Sequence, residues 1–236
     1  MDAEKLLQLF VNQATDTFGS TLKSITLVGS YAREEATPSS DIDLYCIFDK
    51  LSGEDLASMG RIVRSLPIPY EKLELNTQCL TVDEFANQGF EQHFVKRPVL
   101  YFEGKVLYGT SFAAKPSATE IKSFICELLA NSIMSTRHYL TVLESKEKLA
   151  TGKLRVWSLK PFIAALRLER YLACGTYPLT YTDLLRLSEG TPPSVAVRWM
   201  KEPETFNSAI LDDSNAVLIQ LLDLSTELSD KVNFPF

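Results

Sequence analysis

Apolar residues recur at Leu6, Leu7, Phe10, Val11 and Ala14, a spacing of three to four that predicts a helix over residues 3–18. The pattern then changes. Ser24 to Val28 predicts a strand ended by Gly29-Ser30, and Tyr31 to Glu35 can make a short helical turn before the turn-rich Thr37-Pro38-Ser39-Ser40. Asp41 to Phe48 predicts a second strand, with Ile42, Leu44 and Cys46 on one face and Asp41, Asp43 and Tyr45 on the other. A helix is predicted from Glu54 to Ser65, broken by Pro67 and Pro69. Lys72 to Thr81 alternates again: Leu73, Leu75 and Cys79 share one face, and Glu74, Asn76 and Gln78 the other. Val82 to Gln92 reads as helical, and Val99 to Leu107 as containing a short strand that ends near Tyr108-Gly109.

Lys115-Pro116-Ser117 marks a boundary, after which the pattern is helical throughout. Ile121, Phe124, Ile125, Leu128, Leu129 and Ser132 follow one helical face. Ser158-Leu159-Lys160-Pro161 predicts a helix start with Ser158 as N-cap, Leu159, Phe162, Ile163 and Leu166 as its buried stripe, and Gly175 as its end. A short helix from Thr182 and a last one from Ser214 to about Val232 complete a bundle. The fold class expected is α+β, a mixed-sheet domain over residues 1–115, followed by an all-α helical bundle over residues 116–236.

Composition narrows the setting more than the fold. No apolar run approaches the roughly 20 residues that a bilayer span needs. The start, Met1-Asp2-Ala3-Glu4-Lys5, lacks the basic and small-residue pattern of a signal peptide. Cys46, Cys79, Cys126 and Cys174 show no CxxC spacing, so the expected location is a reducing cytoplasm and no disulfide framework is expected. His93 and His138 are the only histidines, which excludes a poly-His metal site. A net charge of −6 argues against binding a nucleic-acid duplex over the whole surface. Residues 1–112 carry all of that excess, while residues 137–170 hold eight Lys/Arg against three Asp/Glu. That basic segment suits either a bound triphosphate or simply a solvated helical face.

The candidate chemistry lies in the first half. Two carboxylates spaced by one residue in a strand share a face, and like charges held side by side call for a cation. A divalent metal carrying a nucleoside triphosphate answers that need. In nucleotidyl transfer an acceptor oxygen attacks the α-phosphorus and pyrophosphate leaves, and a pair of Mg²⁺ ions held by a few carboxylates can stabilise both oxygens. Asp41 and Asp43 supply two carboxylates; Glu74, on the polar face of its strand, is the candidate third metal and catalytic carboxylate, with Asp83 or Glu71 as alternatives. Gly29 allows close approach of backbone to phosphate. Ser30 offers a hydroxyl and an N–H, Ser40 stands directly before the carboxylate pair, and Arg33 can contact phosphate or brace the loop.

The stretch from Leu27-Val28-Gly29-Ser30-Tyr31-Ala32-Arg33 through Ser40-Asp41-Ile42-Asp43-Leu44 resembles the signature of the DNA polymerase β-type nucleotidyltransferase superfamily, nearest to its minimal and antibiotic-modifying members. The resemblance is specific over residues 25–48 and looser through Thr81. That family usually has Gly after the Ala-Arg pair, where this chain has Glu34. The resemblance implies a small mixed sheet flanked by helices, Mg²⁺ with NTP as substrate, and a helical second domain. Lys160 is the residue there that could steady the triphosphate.

The expected reaction is transfer of NMP, AMP foremost, from NTP to a hydroxyl of a small molecule. The alternatives are transfer to an RNA end or a protein side chain, or a non-catalytic nucleotide-binding or toxin–antitoxin module. Glu127 could act as a general base but reads first as a surface carboxylate. His138, Tyr139 and Trp157 read as packing or surface residues. Phe234-Pro235-Phe236 could pack on a second copy in a homodimer.

Overall fold

The stripe near the N-terminus is helix α1 (Ala3–Phe18), which buries Leu6, Leu7, Phe10, Ala14 and Phe18. The computed structural model describes residues 3–37, 40–67, 74–86, 97–142 and 151–232. The chain divides into two units, Met1–Pro116 and Ser117–Phe236. Glu71, Leu73, the end of the helix predicted to Gln92, His93, Glu144, Lys146, Glu147, Lys148 and Phe234 to Phe236 lie outside the described residues.

The first unit holds a four-stranded sheet: β1 (Leu22–Val28), β2 (Ile42–Phe48), β3 (Leu75–Thr81) and β4 (Lys105–Gly109). Their order is β3-β2-β1-β4. β1 runs antiparallel to β2 and β4, whereas β2 and β3 are parallel. The parallel pair needs a crossover, and helix α3 (Gly53–Ser65) lies within it. Ser52 starts α3 with reciprocal bonds: its hydroxyl accepts from the Asp55 N–H and the Asp55 side chain accepts from the Ser52 N–H. The Ser52 hydroxyl and N–H hold the Asp55 carboxyl below its usual range.

Ile42, Leu44, Cys46 and Phe48 pack with α1, Met59 and Ile62 in one core, as their alternation predicts. The opposite face is not simply wet. Tyr45 and Ile47 pack with Val28, Leu80, Phe85 and Leu100 in a second core, because α4 (Val82–Ala86) and α5 (Arg97–Glu103) supply Phe85 and Leu100. β2 is therefore buried on both sides except at its first turn of alternation. Cys46 and Cys79 prove to be register partners across β2 and β3. The hydrogen bond between the two thiols and burial hold Cys46 above the ordinary thiol range.

Several elements differ from the pattern-based expectation. Residues 97–103 are helical, with Pro98 in the first turn where a missing N–H costs nothing, so β4 begins only at Lys105. In the second unit, Ser158 does not cap a helix. The chain runs helically from α7 (Thr151–Leu154) through a π turn at Arg155–Leu159 into α8 (Lys160–Cys174). Pro161 has no N–H for the Trp157 carbonyl and its ring would crowd it. The π turn takes up the mismatch by bonding the Lys160 N–H to Arg155 O. The hydroxyl of buried Ser132 donates to the Ser158 carbonyl at 2.8 Å.

Helix α6 (Ala118–Val142) carries that serine and packs on α8 and on α11 (Pro203–Lys231). Gly175 ends α8 at φ +75°, a left-handed conformation that glycine adopts freely. α9 (Tyr181–Ser188) begins at Thr180, whose hydroxyl holds the Asp183 carboxyl below its usual range. α10 (Ser194–Lys201) and the first half of α11 are helices that the pattern did not signal. α11 bends at Asp213, whose carboxylate accepts from the Ala216 N–H at 2.9 Å and starts the second half. Among the described residues no helix is long and apolar enough to cross a membrane.

Candidate active site

Antiparallel pairing brings the end of β1 beside the start of β2: Val28 is the register partner of Asp43. Gly29 therefore lies next to the Asp43 carboxylate. Its φ is +74°, and a Cβ there would stand 2.9 Å from Asp43 Oδ2. Glycine is needed at this position for its backbone angle and for the space it leaves.

The residues from Gly29 to Ala32 form a four-residue helix, α2. It ends in a Schellman motif: the Glu34 N–H donates to Tyr31 O and the Glu35 N–H to Ser30 O at 2.9 Å. That motif needs a left-handed residue at its end, and Glu34 takes it with φ +60°. The glycine usual in the family's pattern has a physical reason here, and this chain carries strain in its place. Glu34→Gly is expected to raise stability by about 1 kcal/mol, read as a higher midpoint in urea unfolding. An unchanged or lower midpoint would count against the strain.

Arg33 is buried. Its Nε lies 3.1 Å from Glu35 Oε2 and its Nη1 2.5 Å from Glu103 Oε2. Of the two roles the sequence left open, these ion pairs fit the brace. Glu103 closes α5 and has no motif to mark it; a lone carboxylate ending the apolar run Pro98-Val99-Leu100-Tyr101-Phe102 was its only trace. Ser40 also has local work. Its hydroxyl accepts from the Thr37 N–H at 2.9 Å and its N–H donates to Thr37 O, which closes the loop. Ser30 lies half-buried within α2.

Asp41 precedes β2 and is exposed; Asp43 is half-buried within it. Among the described residues neither is in a salt bridge. The parallel register sets Ile42 against Leu75 and Asp43 against Asn76, and the Ile42 N–H donates to Glu74 O at 2.8 Å. Glu74 thus comes two residues before Asn76, at the level of Asp41, and is exposed. Asn76 Nδ2 lies 3.4 Å from Asp43 Oδ1, and no other hydrogen bond to that carboxylate is present among the described residues.

The three expected metal carboxylates do not close into one group. Among the described residues, no three His, Cys, Asp or Glu side chains gather at metal-binding distances. Two carboxylates two residues apart, in no salt bridge among the described residues, still fit Mg²⁺, which is commonly held by one or two carboxylates with water and substrate phosphates completing its shell. Asp83 is removed as an alternative to Glu74. It follows the far end of β3, whose Thr81 pairs with Phe48 at the opposite end of β2 from Asp43.

In the second unit, Lys160 is exposed at the start of α8. The basic segment around it is mixed: among the described residues Arg137 and Lys153 are exposed as well, and Arg155 and Arg170 are half-buried. Arg167 is buried with its guanidinium carbon 4.8 Å from the Tyr181 ring centroid, and buried Glu169 pairs with Lys231 at 2.5 Å. Trp157 is 60% exposed, not part of the bundle core. Glu127 and His138 are exposed on α6.

Residues 9–98 match the family model of the nucleotidyltransferase domain. No curated protein matches the sequence. Among solved structures, the chain is similar to spectinomycin adenyltransferase AAD(9) from Enterococcus faecialis, determined with ATP and spectinomycin. The alignment covers 97% of this chain and 100% of that one at a TM-score of 0.59 and 10% identity, so the likeness is one of fold.

Proposed function

We propose, for a chain whose residues 9–98 carry a nucleotidyltransferase domain, that it moves a nucleoside monophosphate, AMP foremost, from NTP to a hydroxyl of a small molecule and releases pyrophosphate. The observation that carries this reading is the placement of Asp43. Its carboxylate stands on the β2 face directly beside the Gly29 turn, with Asp41 two residues before it and neither in a salt bridge among the described residues. The fold neighbour was solved with ATP and a small-molecule partner, which supports the same class of donor and acceptor.

Asp41 and Asp43 would hold Mg²⁺, which when bound supplies positive charge to the phosphate oxygens of the donor. Gly29 leaves room for phosphate against the backbone, and the Ser30 hydroxyl can donate to a nonbridging oxygen. A four-residue helix is too short to serve as an anion site by its dipole, so the contribution of α2 is its shape. Arg33, held by Glu35 and Glu103, keeps that shape. Glu74 remains proposed as the third carboxylate, and Lys160 as the triphosphate contact from the second unit. The acceptor oxygen attacks the α-phosphorus in line, the bond to the β-phosphate oxygen breaks, and the acceptor proton passes to a base.

The test is incubation of purified protein and Mg²⁺ with α-labelled ATP, GTP, CTP or UTP against aminocyclitol and aminoglycoside antibiotics, RNA and protein acceptors. Label on a small molecule is the expected result. Label on RNA or protein only would move the acceptor to the macromolecular class. Nucleotide binding without any transfer would leave a non-catalytic module.

Gly29→Ala tests the same corner. It is expected to cost about 1–2 kcal/mol of stability from the left-handed backbone alone and to displace the Asp43 carboxylate, weakening Mg²⁺–ATP binding in calorimetric titration. Unchanged stability and unchanged affinity would contradict the close approach.

A further inference from the structure

We infer that Asn76 is the positioning residue for Asp43, fixing which of its carboxylate oxygens faces the Gly29-Ser30 turn. The inference rests on the nucleotidyltransferase reading above and adds to it a residue that neither sequence motif nor resemblance marks.

Register is the first support. β2 and β3 are parallel, and Asp43 and Asn76 are direct partners on one face of the sheet. Side chains at such partner positions stand side by side on the sheet face, one strand spacing apart. Contact is the second. Asn76 Nδ2 points to Asp43 Oδ1 at 3.4 Å, whereas a Cβ on Gly29 would stand 2.9 Å from Oδ2. The two oxygens are thus distinguished: one faces the amide on β3, the other faces the turn on β1. Chemistry is the third. A carboxylate beside Asp43 would add a like charge, and a lysine or arginine would neutralise it and compete with an incoming cation. A neutral amide donor does neither. It occupies one oxygen with a hydrogen bond and leaves the full charge of the carboxylate for a cation at the other. Partners of this kind orient metal-ligating carboxylates, and their removal typically lowers metal affinity or activity by about 10–100-fold.

The test uses full-length protein and isothermal titration with Mg²⁺–ATP, and separately with ATP in EDTA. Asn76→Ala is expected to raise the Kd for Mg²⁺–ATP by about 10–100-fold while leaving metal-free ATP binding within about threefold, since Asn76 acts through Asp43 on the metal. Gln78→Ala, the next exposed position on the same face of β3, is the control and is expected to stay within about twofold in both titrations, having no part in orienting Asp43. Circular dichroism and thermal midpoints of both variants should match the parent. Asn76→Ala binding Mg²⁺–ATP as tightly as the parent overturns the inference alone. So does an equal loss with and without metal, or an equal loss in Gln78→Ala, because each describes general damage to the sheet edge. A parent protein that binds no Mg²⁺–ATP overturns the nucleotidyltransferase reading, and the inference falls with it.

Discussion

Asp43→Ala should reduce nucleotidyl transfer by more than about a hundredfold, beyond the 10–100-fold lost when only an outer partner of a metal ligand is removed. The side chain is half-buried at the start of β2 and forms no part of either apolar core. Its removal leaves the packing of Ile42, Leu44 and Tyr45 in place, so the thermal midpoint should hold. Binding of Mg²⁺–ATP should weaken together with turnover, because in the proposed reaction the same carboxylate serves the nucleotide before and during the transfer. Asp41→Ala should behave alike, with a smaller structural footprint since Asp41 is exposed. Transfer of label to the acceptor found in the screen is the measurement. Activity within tenfold of the parent in either variant would remove the carboxylate pair from the chemistry.

Arg33→Ala is the substitution expected to damage stability most, by about 3–5 kcal/mol, the cost of breaking a buried ion pair from one side. It leaves the carboxylates of Glu35 and Glu103 close together, with relative side-chain exposures of 11% and 4%, without the guanidinium between them. Glu103 belongs to α5, which covers the second face of the sheet; Glu35 follows α2. Loss of Arg33 therefore loosens the loop before Asp41 and the helix under it at once. Lysine should not restore what alanine loses, because one ammonium cannot reproduce the fork that reaches both carboxylates. Urea unfolding measures it, and a loss below about 1 kcal/mol, the value of an exposed pair, would show that the network is solvated.

The strand that carries Asp43, with Asp41 just before it, was legible from alternation alone. Two-sided burial of β2 was not, because Tyr45 and Ile47 look like ordinary alternation until α4 and α5 are placed over them. Gly29 was legible as a turn residue. That its missing Cβ makes room for Asp43, fourteen positions later, follows only from the antiparallel register. Arg33 was visible as a charge near the site, but its partner Glu103 lies seventy residues away and no local pattern links them. The helix start expected at Ser158 failed for a local reason. A proline reads as an early-helix residue, yet a π turn with a serine hydroxyl beneath it can carry a helix through.

The amino-acid sequence alone determined the elements of the first unit in outline, the helical character of the second, and the pairing of a Gly-Ser turn with an Asp-x-Asp strand. These depend on periodicity and turn chemistry, which act over a few residues. Only the tertiary structure decided what stands beside each carboxylate: Gly29 on one side of Asp43, Asn76 on the other, and Glu74 two residues before Asn76 at the level of Asp41. Cross-strand neighbours are set by register, and register comes from the packing of both sheet faces and the crossover through α3. A single strand's sequence contains none of these.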